Sequence, residues 1–360
     1  MKHKVISVAL IAVLLFMVLG SIVACTSTTT YDLTIASTAG GNVTTPGEGT
    51  FNYTAGTIVN LVATSDSGYR FVNWTGNVGT IANVTAATTT INMTADCTIT
   101  ANFALGTLIE NVPDANQPPT QTLPSTNPIT NYCAPMAMVN VLRYWDVIKG
   151  LPNAKNVTAG LLDRTAAEYL GWFMDTNNMG SPARANGGQA GTLDVDIGPG
   201  TLEFVRWDGG NPFLTPPPVL PTWKVGHTWT VTTNYTTDYG ESLAFYKKEI
   251  DAGRPLVVSF LFWNPQPVVN VTDPETGELI CVHAWGPNYG HSSPLDPEEY
   301  WTGDVGHAVT GVGYILNWDP DGAGPAPLTD YVIVHDNWSR TPTNVAIPWF
   351  NWKCLFAVTP

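Results

Sequence analysis

Period-two alternation of apolar residues stops at Phe103, and Pro113, Pro118, Pro119, Pro124 and Pro128 follow in a polar setting. Each proline lacks a backbone donor and fixes φ, so regular structure does not run on through such a stretch. The chain therefore reads as two pieces, which suits 360 residues at roughly 100–200 per domain. Before the break, Tyr31-Leu33-Ile35, Val59-Leu61-Ala63 and Ile99-Ala101-Phe103 alternate, with turn signals at Gly40-Gly41, Pro46-Gly47 and Ser67-Gly68. The pattern predicts a small all-β module over residues 31–104. Cys97 shares a face with Ile99, Ala101 and Phe103 and is expected to be a buried small hydrophobe. Residues 105–130 read as a semi-extended, Pro-rich linker, and 131–360 as the second domain.

The first 25 residues read as an address. Lys2 and Lys4 precede an apolar run from Val5 to Leu19, the pattern of a signal peptide. Ile22-Val23-Ala24-Cys25 resembles the bacterial lipobox. That implies diacylation of Cys25, a short tether over 26–30, and a lipoprotein anchored to the membrane at the cell surface or in the periplasm. An uncleaved anchor or cleavage near Ala24 are the alternatives. A formal charge of −14 argues against nucleic-acid partners, because phosphate binding needs clustered Lys and Arg. No CxxC and no zinc-like Cys/His spacing occurs, so neither a metal nor a cofactor is expected.

Chemistry concentrates in three short stretches of the second domain. In Asn131 to Trp145, Met138, Val141, Leu142 and Trp145 stand at i, i+3, i+4 and i+7, an amphipathic helix, and Pro135 suits its first turn. Cys133 then lies at the helix start, where the dipole and free N–H groups favour the nucleophilic thiolate. His307 heads the β-branched run Ala308-Val309-Thr310-Gly311-Val312. Tyr331-Val332-Ile333-Val334-His335-Asp336 reads as a strand ending in polar residues. A thiol attacking a carbonyl needs a base, and the base needs an orienting acceptor. Cys133, His307 and Asp336 supply these roles, and strand alternation turns His335 to the opposite face.

Two family resemblances follow from quoted residues. Gly68-Tyr69-Arg70-Phe71-Val72-Asn73-Trp74-Thr75-Gly76 and Ile99-Thr100-Ala101-Asn102-Phe103 resemble the divergent internalin-B-like bacterial repeat, which implies a surface spacer or adhesion module. Cys133-Ala134-Pro135, Gly306-His307-Ala308-Val309 with Gly313-Tyr314, and the strand ending in Asp336 resemble the bacteriocin-processing (double-glycine) peptidase-like family of papain-fold cysteine peptidases. Ala134 stands where that family usually has Gly. Phe245 to Val258 is similar to that group's helix-to-strand turn, and Asp336-Asn337-Trp338 to the Asn-Ser-Trp of papain-type enzymes. The resemblance implies an α+β papain-like domain that hydrolyses a peptide or protein substrate. It also implies an oxyanion hole formed by the Cys133 N–H and an upstream amide, for which Gln121 and Asn127 are the candidates.

Two other readings stay open: a non-catalytic surface adhesin on a papain-like scaffold, and a transglutaminase or cell-wall amidase. Cys281 and Cys354 are left over, and an oxidising address permits a disulfide between them across a loop of about 73 residues.

Overall fold

A computed structural model describes residues 28–116, 131–151, 163–178, 191–206, 229–236, 238–260, 263, 265–273, 278–285, 306–318, 320, 329–338, 341–349 and 352–360. Cys25 and the oxyanion candidates Gln121 and Asn127 lie outside these residues. No helix among the described residues is long and apolar enough to cross a membrane.

The protein is multidomain, with an all-β module first. Strand β1 (Thr30–Ser37) pairs antiparallel with β3 (Gly49–Thr54) and parallel with β7 (Cys97–Leu108), which pairs antiparallel with β5 (Tyr69–Gly76). Strands β2 (Gly41–Thr45), β4 (Ile58–Ser65) and β6 (Thr88–Asn92) form a second sheet. Alternation sends Leu33, Ile35, Leu61, Trp74, Ile91 and Ile99 into one core, with Cys97 and Ala101 buried among them as expected. The last glycine of the Gly68–Gly76 stretch has a steric cause. Gly76 sits at φ +96°, and a Cβ there would meet the Thr98 carbonyl oxygen.

The remainder is β-rich with few helices. Its strands are β8 (Thr230–Asn234), β9 (Leu256–Phe260), β10 (Pro265–Thr272), β11 (Leu279–Trp285), β12 (His307–Trp318), β13 (Thr329–His335), β14 (Asn344–Pro348) and β15 (Trp352–Thr359). They order as β10-β11-β14-β13-β12-β9-β15-β8, antiparallel except for the β11–β14 pair. The described helices are α1 (Cys133–Arg143), α2 (Asp163–Phe173), α3 (Asp194–Arg206) and α4 (Tyr239–Asp251). Adjacent strand residues fall into different cores. Val257 and Ala308 pack with α1, α2 and α3, whereas Val258 and Val309 pack with α4, so helices cover both faces. The Asp238 carboxylate caps α4 by accepting from the Glu241 N–H at 2.8 Å, and Gly253 at φ +68° turns the chain into β9.

The expected linker over 105–130 is corrected in its described half. Strand β7 continues to Leu108, and Gly106, Thr107 and Leu108 pair with Ile315, Tyr314 and Gly313 of β12. Beyond it, the Ile109 N–H donates to the Val312 carbonyl at 2.7 Å, and the Ala115 N–H to Asn140 Oδ1 at 2.8 Å. Ile109, Val112 and Ala115 are buried, so residues 109–116 form a strap over the second core. The reason is apolar anchorage at every third residue within polar, proline-bearing text. A buried ion pair between Arg70 and Asp273 fastens the module to the second unit.

The Cys281–Cys354 disulfide is also overturned. Cys281 lies on β11 and Cys354 on β15, with β14, β13, β12 and β9 between them. At about 4.8 Å per strand that separates them by roughly 24 Å, against a Cα–Cα limit near 7 Å for a bridge. Both are buried free thiols.

Candidate active site

Cys133 is the first residue of α1, as expected, preceded by Tyr132 at φ −97° with no side-chain cap. Ala134 to Leu142 are all buried, so the helix is enclosed rather than one-sided. It ends at Arg143 in a π-helical turn over Tyr144–Ile148, and the Trp145 Nε1–H there donates to the Val358 carbonyl at 2.8 Å.

The first residues of β12 lie against this helix start. Asn337 Nδ2 donates to the Ala308 carbonyl at 3.1 Å and to the Cys133 carbonyl at 3.5 Å, tying both backbones to the end of β13. Asn337 sits at φ +66°, a left-handed conformation that Asn tolerates better than most residues. Its Oδ1 accepts from Asn140 Nδ2 at 3.1 Å, and the same amide donates to Thr310 Oγ1 at 3.2 Å. Asn140, Thr310 and Asn337 are wholly buried.

The thiol does not follow the expectation of a stabilised thiolate. Burial pushes the Cys133 thiol up; the backbone N–H groups of Ala308, Ala134 and Cys133 itself oppose this, and the Asp194 carboxylate adds to it. Desolvation outweighs the helix terminus here. Asp194 begins α3 and accepts from Ser259 Oγ at 2.8 Å.

His307 is 3% exposed, and its Nε2 lies 2.9 Å from the Asp336 backbone carbonyl. A carbonyl only accepts, so Nε2 carries the hydrogen and Nδ1 is the basic nitrogen of the neutral ring. Burial lowers the ring to about 4, with the bond to the Asp336 carbonyl opposing. Trp263 packs on it at 4.6 Å between centroids and Trp338 at 5.4 Å, and the two indoles meet edge-on.

The role expected of the Asp336 carboxylate passes to its main chain. Oδ1 accepts from Thr341 Oγ1 at 2.6 Å and from the Trp338 N–H at 3.0 Å, while Oδ2 is buried without a hydrogen-bond partner. Burial pushes the group up to about 7; Thr341 and the Trp338 N–H oppose this, and Asp114 adds to it. His335 faces elsewhere, within hydrogen-bond distance of the Pro113 carbonyl and Asn344.

Backbone contacts thus gather the Cys133, His307 and Asp336 positions into one cluster. Sequence reasoning missed Asn140, Asn337, Thr341 and Trp263. Trp263 carries no local signal, but Asn140 does, as a polar residue inside the apolar run Met138 to Leu142. Among the described residues, no group of three or more His, Cys, Asp or Glu could hold a metal.

Residues 31–107 match the family model described as Divergent InlB B-repeat domain. A comparison with curated proteins finds no match.

Proposed function

We propose that the protein is an exported, lipid-tethered cysteine peptidase whose second unit is a papain-like α+β domain and whose repeat serves as a surface spacer. The observation that carries this reading is the pairing of a helix-start thiol, beside the Ala308 N–H, with an imidazole held through Nε2 at the head of the same strand. Both groups rest neutral, since burial raises the thiol and lowers the ring. In the reaction, His307 Nδ1 takes the Cys133 proton as sulfur bonds to the scissile carbonyl carbon. The imidazolium returns that proton to the leaving amine, the C–N bond breaks, and an acyl-enzyme remains. Water then attacks with the same base, releasing the acid and the thiol. The Cys133 N–H and Gln121 or Asn127 are proposed as oxyanion donors.

The rival is a non-catalytic adhesin, favoured by the repeat match and by a thiol that rests protonated. A peptidyl acyloxymethyl ketone separates the two. The enzyme reading expects labelling of Cys133 that His307→Ala slows at least a hundredfold, with iodoacetamide alkylation far less sensitive to that change. Equal labelling of wild type and His307→Ala rules the peptidase out, and a peptide library cleaved by Cys133→Ala excludes this nucleophile. A transglutaminase or amidase would be labelled too, but would leave that library uncut.

A further inference from the structure

The proposed reaction puts a positive charge on a ring that is 3% exposed. As the Cys133 proton moves to His307 Nδ1, sulfur keeps the electron pair and the imidazole becomes an imidazolium. A charge so far from water is costly unless the fold offsets it. In a catalytic triad the carboxylate does this. Here the Asp336 carboxylate is engaged elsewhere, its Oδ1 accepting from Thr341 and the Trp338 N–H, and the main-chain carbonyl reaches the ring.

The ring itself packs against indoles. Trp263 lies 4.6 Å from it between centroids and Trp338 5.4 Å, and the indoles stand 6.0 Å apart at 88° to each other, a right-angled corner around the imidazole. Both distances to the ring fall within the roughly 6 Å over which the negative face of an aromatic ring attracts a cation. Among side chains Trp gives the strongest such attraction, and exclusion of water strengthens it. Trp263 is braced in turn: Phe260, wholly buried on β9 and paired with His307, packs on it at 5.3 Å. Among the described residues, the titratable groups gathered here are Cys133 on α1 and Asp336 after β13. Asp194 on α3 acts on the thiol, and Asp114 on the strap acts on Asp336.

We infer that Trp263 is a positioning residue whose π face, with Trp338 beside it, stabilises the His307 imidazolium in the place a triad gives to a carboxylate. The inference rests on the peptidase reading for the step it serves. If Trp263 only packed against the ring, its bulk would matter and its π charge would not. If it stabilises the charge, the electron density of the indole sets how readily the ring takes up a proton.

Tryptophans carrying one to four fluorines at position 263 test this, because fluorine withdraws π charge and leaves size and burial nearly unchanged. The full chain, labelled with 15N-histidine, is held at about pH 4.5, near the point where the buried ring takes up its proton. The charged fraction of His307 is read from its ring nitrogens. That fraction should fall stepwise, roughly threefold or more with four fluorines. The same series at Trp338, farther from the ring, should act more weakly. A charged fraction that stays constant or rises across the series at 263, or a stronger effect at Trp338, would overturn the inference. The readout is a charge and not turnover, so the two ideas fail separately. A ketone label on Cys133 that ignores His307→Ala ends the peptidase reading and leaves the ring measurement standing. A label that depends on His307, with a flat fluorine series, does the opposite.

Discussion

Asp336 looks, in sequence, like the acid of a catalytic triad, yet its main-chain carbonyl makes the contact with His307. Replacing the carboxyl with an amide leaves that carbonyl and an Oδ1 acceptor for Thr341 in place. On the proposed peptidase reading, Asp336→Asn should therefore keep most of the activity, and complete loss would return the carboxylate to the orienting role. Its effect on stability depends on pH. The native pKa is raised from 3.8 to about 7, so the stability this group contributes is fully present below about 3.8 and is lost as pH rises through about 7. Asparagine has no such dependence. The stability of the variant relative to wild type should thus rise between pH 4 and pH 8, by on the order of 3–4 kcal/mol in urea titrations. Parallel pH profiles for the two proteins would show that the carboxyl is not desolvated.

At the level of elements, α1 is positioned by side-chain amides as much as by its apolar surface. Asn140 donates to Thr310 on β12 and to Asn337 after β13, and it accepts from Ala115 on the strap. Asn140→Leu conserves volume but removes the partner of the buried Ala115 N–H and of Asn337 Oδ1. It should cost about 2–4 kcal/mol, measured by denaturant unfolding. A cost below about 0.5 kcal/mol would mean that the network is incidental. The elements themselves were legible where periodicity or turn chemistry was strong: the alternating strands of the repeat, the helix beginning at Cys133, and the α4-to-β9 turn through Gly253-Arg254-Pro255. The strap was not legible, because polar, proline-bearing text reads as linker. Its buried residues Ile109, Val112 and Ala115 are spaced around a turn in which Asn111 takes φ +59°, so their spacing follows an irregular path and not a helix or strand period. The placement of Cys281 and Cys354 was beyond reach for another reason: strand order in a sheet is set by tertiary pairing, which local pattern does not encode.

On the scale of the whole molecule, three buried histidines among the described residues make the fold sensitive to acid. His283, His307 and His335 are each lowered from 6.5 to about 4 by burial, so the stability they contribute is present above about 6.5 and is lost as pH falls through about 4. Asp114, raised by burial to about 6, and Asp336, raised to about 7, work in the opposite direction. Three histidines stand against two aspartates, so stability should fall between pH 6.5 and pH 4. A urea midpoint that rises on acidification would contradict this balance. The seam between the units gives a second whole-molecule test. Arg70→Met removes the buried cation that faces Asp273 across the seam and should cost about 3–5 kcal/mol. If thermal unfolding of that variant matches wild type, the ion pair does not fasten the units. The continuous β7 also defines a mechanical path. Tension applied to the repeat passes along its backbone into the second unit and is borne laterally by the pairing of residues 106–108 with Ile315, Tyr314 and Gly313. Because the two strands lie side by side and antiparallel, that pairing is loaded in shear, its hydrogen bonds sharing the force together rather than opening in turn. The strand that takes up the load begins with His307, so a pull on the N-terminal module is delivered along the same rod that holds the imidazole.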